Sequence, residues 1–293
     1  MCAAVSKRFK VQAGVDPPSA ATMADRIRTP APMKPDARRR RLLGTLPMLP
    51  LAGLAACASA PRDATVHALA AVPAFSTATA GGPLPEGWRP YILRPDRVKT
   101  VYSMAERDGR VALHASADSA SSGLACAVDI DPQRMPWLRW EWRVDKVHEK
   151  ATVGDDVLED TPARLVIAFA GDMSTLSLRD RVFFEQVELF TGNILPYATL
   201  TYVWDGQLPV GKVLPYARSS RIRYDVVESG VARAGRWLRY ERNVLDDYRR
   251  VFGEAPTGHI TSVGLLTDSD DLKNHVEAWY RDIGLYADSA APG

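Results

Sequence analysis

Cysteine is scarce in this chain of 293 residues, which holds only Cys2, Cys57 and Cys126. With Cys2 and Cys57 in the N-terminal region, one thiol is left for the rest of the chain. A single thiol cannot close an internal disulfide, so the folded part must be stable through its core alone. Histidine is equally sparse. His67, His114, His148, His259 and His275 show no metal-ligand spacing, which removes the zinc-enzyme classes. There is no Gly-x-Ser-x-Gly elbow, no phosphate-cradling glycine loop and no dinucleotide fingerprint, so no nucleotide partner is expected. A long uninterrupted apolar run is missing too. The stretch Leu42–Ala56 is broken by Pro47, Pro50 and Gly53 and falls short of the roughly 20 residues that a transmembrane helix needs.

What that stretch does have is context. Arg38 to Arg41 precede it, and Leu54-Ala55-Ala56-Cys57 closes it. Basic patch, apolar run and small residues before a cysteine resemble a lipoprotein export signal, with Cys57 as the lipidated first residue of the mature protein. Residues 1–32, with Pro17-Pro18, Pro30 and Pro32, lack sustained periodicity and read as an over-extended start. Met33 is the expected initiator and Met23 the second choice, which leaves 33–56 as signal peptide. Arg39-Arg40-Arg41-Leu42-Leu43 also resembles the twin-arginine export pattern, and both export routes stay open. Ala58 after the lipid cysteine points to the periplasmic face of the outer membrane. The formal charge of +2 belongs to this segment, because residues 1–56 carry ten Lys/Arg against three acids. The remainder holds 27 basic and 32 acidic residues, a net of −5 and no footprint for nucleic acid.

Residues 57–85, rich in Ala, Pro, Thr and Gly, read as a flexible tether, and 86–288 as one domain. Period-2 alternation dominates that domain. In Leu138-Arg139-Trp140-Glu141-Trp142-Arg143-Val144 every apolar residue falls on one face and every charge on the other. Val111–Ala115 and Arg221–Val226 alternate likewise, and Cys126 is in phase with Leu124, Val128 and Ile130. Leu165–Phe169 is apolar on both faces, as a central strand should be. Thr199–Trp204 and the segments 100–106, 237–244, 260–267 and 278–286 complete roughly ten strands. The expectation is an all-β antiparallel β-sandwich, jelly-roll-like in the manner of carbohydrate-binding modules. A short helical insertion at about 177–191 interrupts it: Ser177 and Asp180 form a capping box, Phe183, Val187 and Phe190 recur at helical spacing, and Gly192 supplies the stop. A second short helix is expected near Leu245–Val251.

Several fragments occur in order: Trp140-Glu141-Trp142, Asp160-Thr161-Pro162-Ala163-Arg164, Leu200-Thr201-Tyr202-Val203-Trp204 and Asn243-Val244-Leu245-Asp246-Asp247-Tyr248. Phe252-Gly253, Leu266-Thr267-Asp268-Ser269-Asp270 and Trp279-Tyr280-Arg281-Asp282-Ile283 follow. Together they resemble a bacterial family of exported proteins defined only as a domain of unknown function (family 3047), over residues 85–286. The resemblance implies a single domain and brings no activity or catalytic residues with it.

Three groups of residues could carry chemistry. Arg139, Glu141 and Arg143, with His114 if the neighbouring strand adds it and with Arg164, are candidates for a polar floor that binds a hydroxyl-rich ligand. They equally suit a solvated face of cross-strand ion pairs. Asp268, Asp270 and Asp271 bunch hard oxygen ligands suited to a structural calcium ion, or simply cap a turn. Asp156 and Asp160 are the candidates for acid–base work on a glycosidic bond, unless Arg164 merely pairs with Asp160. The reading adopted is an exported lipoprotein whose domain binds an envelope glycan or other polar ligand without catalysis. A polysaccharide hydrolase or lyase and a purely structural envelope protein are the alternatives.

Overall fold

The computed structural model describes residues 68–290 except 93 and 156. Cys57, the signal segment, residues 57–67 and Asp156 therefore lie outside the described residues. Twelve strands form two sheets. In chain order they are β1 Trp88–Tyr91, β2 Val101–Arg107, β3 Arg110–Asp118, β4 Ser121–Ile130, β5 Trp137–Val144 and β6 Ala163–Phe169. Then come β7 Ala198–Asp205, β8 Val213–Tyr216, β9 Ser219–Ser229, β10 Leu238–Asn243, β11 Ile260–Asp268 and β12 His275–Tyr286. One sheet runs β1-β4-β11-β6-β7-β9-β8 and the other β10-β5-β12-β3-β2. The pairing is antiparallel throughout except between β7 and β9, which run parallel. The expected antiparallel β-sandwich is the observed architecture, with this one parallel pair added.

The core lies between the sheets and is built from the apolar faces that alternation marked. Trp140 and Trp142 of β5 are fully buried and meet Tyr202 and Trp204 of β7, with Trp140 and Tyr202 stacked at 5.1 Å and Trp142 6.3 Å from Trp204. Large aromatic faces brought together this way dominate the burial that offsets chain entropy. Cys126 is buried among them, and burial pushes its thiol up to about 11, as befits an inert packing residue. β6 is the middle strand of the seven and buried on both faces.

The helix α1 spans Leu178–Thr191. Ser177 Oγ accepts from the Asp180 N–H at 3.1 Å, and Gly192 closes it at φ 72, a left-handed angle that glycine adopts without a Cβ penalty. Asp180 does not reach back to the backbone as a capping box would. It instead accepts from the hydroxyls of Ser177, Ser219 and Ser220, which ties the helix start to β9. Phe183 and Phe184 pack with Leu176 and Leu195 at the β8–β9 edge. Phe190, assigned to the same stripe, is 76% exposed. A second helix, α2, spans Val244–Phe252. Among the described residues no helix is long and apolar enough to cross a membrane.

One expectation about organisation is corrected. The described part of the 57–85 tether is packed on the sandwich. Leu69 donates to Ala127 O at 3.0 Å, Phe75 is fully buried with its ring stacked on Trp88 at 4.8 Å, and Ser76 bonds Asp282. A segment rich in Ala, Pro, Thr and Gly reads as flexible, but here Leu69 and Phe75 anchor it on the core.

Candidate functional site

The two outer faces of the sandwich differ. The seven-stranded sheet is covered by α1 at one edge and by Val153 and Leu208, which pack with Val203, Tyr224 and Leu214. The five-stranded sheet presents polar and charged side chains. Alternation fixes which ones: Arg139, Glu141, Arg143 and Asp145 follow from β5, Trp279 and Arg281 from β12, Arg239 from β10, Arg110 and His114 from β3, and Arg107 from β2.

Glu141 stands at the centre. Its carboxylate meets Arg110 Nη2 at 3.1 Å, Arg239 Nη2 at 2.7 Å and Arg281 Nη1 at 3.6 Å. Burial opposes its ionisation, but the hydrogen bond from Arg239 and the charges of Arg110, Arg239 and Arg281 outweigh it and hold the carboxyl below its usual range. Beside it, Asp145 accepts from Arg143 Nε at 2.5 Å, from Arg107 Nη2 at 3.1 Å and from Trp279 Nε1 at 3.2 Å. Asp108, at the β2–β3 turn, accepts from Trp237 Nε1 at 2.8 Å and pairs with Arg143 Nη1 at 3.3 Å. The half-buried Trp237 ring lies 3.5 Å from the Arg281 guanidinium. Arg281 itself is buried, its Nε has no hydrogen-bond partner, and burial together with Arg110 lowers its pKa. His114 stacks on Trp279 at 4.1 Å, and burial lowers its pKa too.

A bulge in β12 between Arg281 and Gly284 shapes the edge of this face. The extra residue leaves both Arg281 and Asp282 on the outer side while Tyr280 and Ile283 both enter the core. Asp282 then accepts from Ser76 N at 2.9 Å and Ser76 Oγ at 2.6 Å. Ser76, Arg110, Val111, Arg281 and Asp282 line a cleft of about 320 Å³ there. A second cleft of about 380 Å³ lies beside α1 between Leu176, Phe184, Ile194 and Leu195, and is mostly apolar.

Residues 86–284 match the model of a family described as a protein of unknown function, DUF3047. The chain belongs to that family. No curated protein matches this DUF3047 chain. Among solved structures it is similar to an arabinose-bound α-L-arabinofuranosidase, at 9% identity and a TM-score of 0.38 over 73% of this chain and 25% of that one. It is similar to the family 11 carbohydrate-binding module of Clostridium thermocellum in complex with a mixed-linked tetrasaccharide, at 9% identity and a TM-score of 0.34, over 71% and 92%. A family 29 carbohydrate-binding module of Piromyces equi follows at 9% identity and 0.31, over 76% and 94%. At these scores the likeness carries nothing about ligand or activity.

In this DUF3047 domain Glu141, Arg143 and His114 share one face. His114 is not on the strand beside β5, as the sequence reading supposed, because β12 is inserted between them and places Trp279 there. Arg139 sits at the margin, closed over by Glu241 at 2.6 Å and by the Tyr286 ring at 4.4 Å. Arg164 belongs elsewhere. It is buried on β6 and bonds Glu159 and Thr161 rather than Asp160, and its expected partner accepts instead from the Asp271 N–H at 2.9 Å and from the Leu272 N–H. Arg107, Arg110, Asp145, Trp237 and Arg281 are site residues that the sequence reading missed. The alternation signal was present for each, but which strands pair was not.

Proposed function

We propose that this domain is a non-catalytic module that binds an envelope glycan on the outer face of the five-stranded sheet, held at the periplasmic side of the outer membrane by a lipid on Cys57. The observation that supports the binding reading is the network around Glu141, where five arginines and three carboxylates surround the indoles of Trp237 and Trp279. Saccharide hydroxyls both donate and accept, and the ring has apolar faces. Guanidinium donors, carboxylate acceptors and an indole supply the three complementary groups in one place. The same geometry speaks against a proton-donor role for Glu141. Glu141, held ionised by its arginines, is a poor proton donor near neutral pH. Asp160, one of the two carboxylates considered for catalysis, is 0% exposed and commits its side chain to two loop amides.

The test is calorimetric titration of the full chain with oligosaccharides first identified on a polysaccharide array. Trp237→Ala and Arg110→Ala weaken binding by roughly tenfold to a hundredfold, the loss typical of an anchor at the centre of a contact. A product assay on the same ligands shows no cleavage. Unchanged affinity in both variants, or shortened products, would overturn the reading.

A further inference from the structure

Charge is shared out unevenly over this domain. In the acidic loop after β11, Asp268 pairs with Arg164 and Asp270 with Arg97, and of the three aspartates there only Asp271 is exposed. The cleft at the bulge of β12 differs. Arg110 and Arg281 line it, and both guanidiniums approach the same oxygen, Oε2 of Glu141, at 3.1 and 3.6 Å. Arg239 takes the other oxygen, Oε1, at 2.7 Å. One carboxylate therefore serves three guanidiniums. Asp282, the acid that lines the cleft, is bonded instead to the N–H and hydroxyl of Ser76.

Arg281 is also short of partners. Its side chain is 7% exposed, and a guanidinium brings five N–H donors with it. Among the described residues one hydrogen bond meets them, from Nη2 to Arg107 O at 2.9 Å. Nε has no partner, and Nη1 stands beyond hydrogen-bond distance of Glu141. The Trp237 ring closes one face of the guanidinium plane. Buried donors left unmade are costly, and charged ones more so. Arg110, by contrast, is half exposed and uses only Nη2 on Glu141, so the rest of its fork faces the solvent side of the cleft.

This lining selects its guest. Two guanidiniums on one space suit a planar anion, because the arginine fork meets a carboxylate through paired N–H donors. Asp282 limits the charge. Two cations and one anion leave room for a single negative charge, which a carboxylate carries and a phosphate monoester exceeds. Asp282 and Ser76 add acceptors and a donor for hydroxyl groups. About 320 Å³ is at the small end of ligand pockets, roughly 300–1,000 Å³, and accommodates one residue of a longer chain.

We infer that this cleft is a subsite for a uronic acid residue, with its carboxylate on Arg110 and Arg281 and its hydroxyls on Asp282 and Ser76. The inference rests on the glycan-binding reading and narrows it to acidic glycans.

The full chain is titrated calorimetrically with tetrasaccharides of galacturonate, mannuronate and glucuronate, with the same compounds after reduction of each carboxyl to the alcohol, and with phosphate-bearing glycans. At least one uronate binds about tenfold to a hundredfold more tightly than its reduced form, the ratio that a charge-assisted hydrogen bond commands. Added salt narrows that ratio. Arg110→Gln, a half-exposed change whose retained fold is read from its melting midpoint, brings the ratio towards one. Asp282→Asn improves the binding of phosphate-bearing glycans. Reduced or neutral glycans held as tightly as the uronates, or phosphate-bearing glycans preferred by the parent, would sink the subsite and leave the glycan-binding reading standing. A parent that binds no glycan of any kind sinks both.

Discussion

Asp180 is buried at the start of α1, and four donors converge on it: the hydroxyls of Ser177, Ser219 and Ser220 and the Ser220 N–H. Burial alone would raise its pKa. The hydrogen bonds from the three serines outweigh burial and pull it down to about 2 from 3.8. A depressed carboxylate pKa gives stability that is complete above the unfolded value and is lost as pH falls through the folded one. Urea denaturation at a series of pH values therefore shows stability falling between pH 3.8 and about 2. Asp180→Asn costs roughly 1.5–3 kcal/mol at neutral pH, as hydrogen bonds to a charged group do, and flattens that acid decline. At this scale the sequence was half readable. Ser177 and Asp180 stood out as a cap, but Ser219 and Ser220 are brought in by a strand 39 residues on. The binding face follows the same rule. Glu141 and Arg143 were legible from alternation within β5, whereas Trp279 and Arg281 needed the pairing of β12 with β5. Asp282 needed a bulge that breaks alternation altogether.

The elements that escaped sequence reading share a feature. β1 contains Pro90 and β8 contains Pro215, and these two are the outermost strands of the seven-stranded sheet. Proline cannot donate to a ladder, so a strand that carries one reads as a turn in the sequence and survives in the fold only at an edge. Of the remaining ten strands most were legible because their apolar faces repeat with period 2, and β6 because it is apolar on both faces. In α1 the helix, both its ends and the Phe183–Val187 face were legible, but where burial stops along that face was not. Phe183 and Phe184 are buried against the β8–β9 edge and Val187 packs beside them, whereas Phe190, near the C-terminal end, is exposed. Chemical denaturation distinguishes the buried from the exposed position. Phe184→Ala costs roughly 3–5 kcal/mol, whereas Phe190→Gln stays within about 0.5 kcal/mol of the parent.

For the molecule as a whole, the fold class was legible from periodicity, while strand order was not. The parallel β7–β9 pair in particular needs a connection that contains the β8 hairpin, and no local signal announces that arrangement. The membrane address rests on the sequence around Cys57 alone. It predicts that the expressed protein sediments with membranes and carries a diacylglyceryl mass on that residue. Cys57→Ala leaves it without the lipid, which mass spectrometry reads directly. Anchoring of that kind would crowd many copies onto one surface, and crowding favours sheets that extend from one molecule into the next. The prolines of β1 and β8 act against that. Each outer rim of the larger sheet lacks an amide where a foreign chain would dock, so neighbours can press together without knitting into a continuous ribbon.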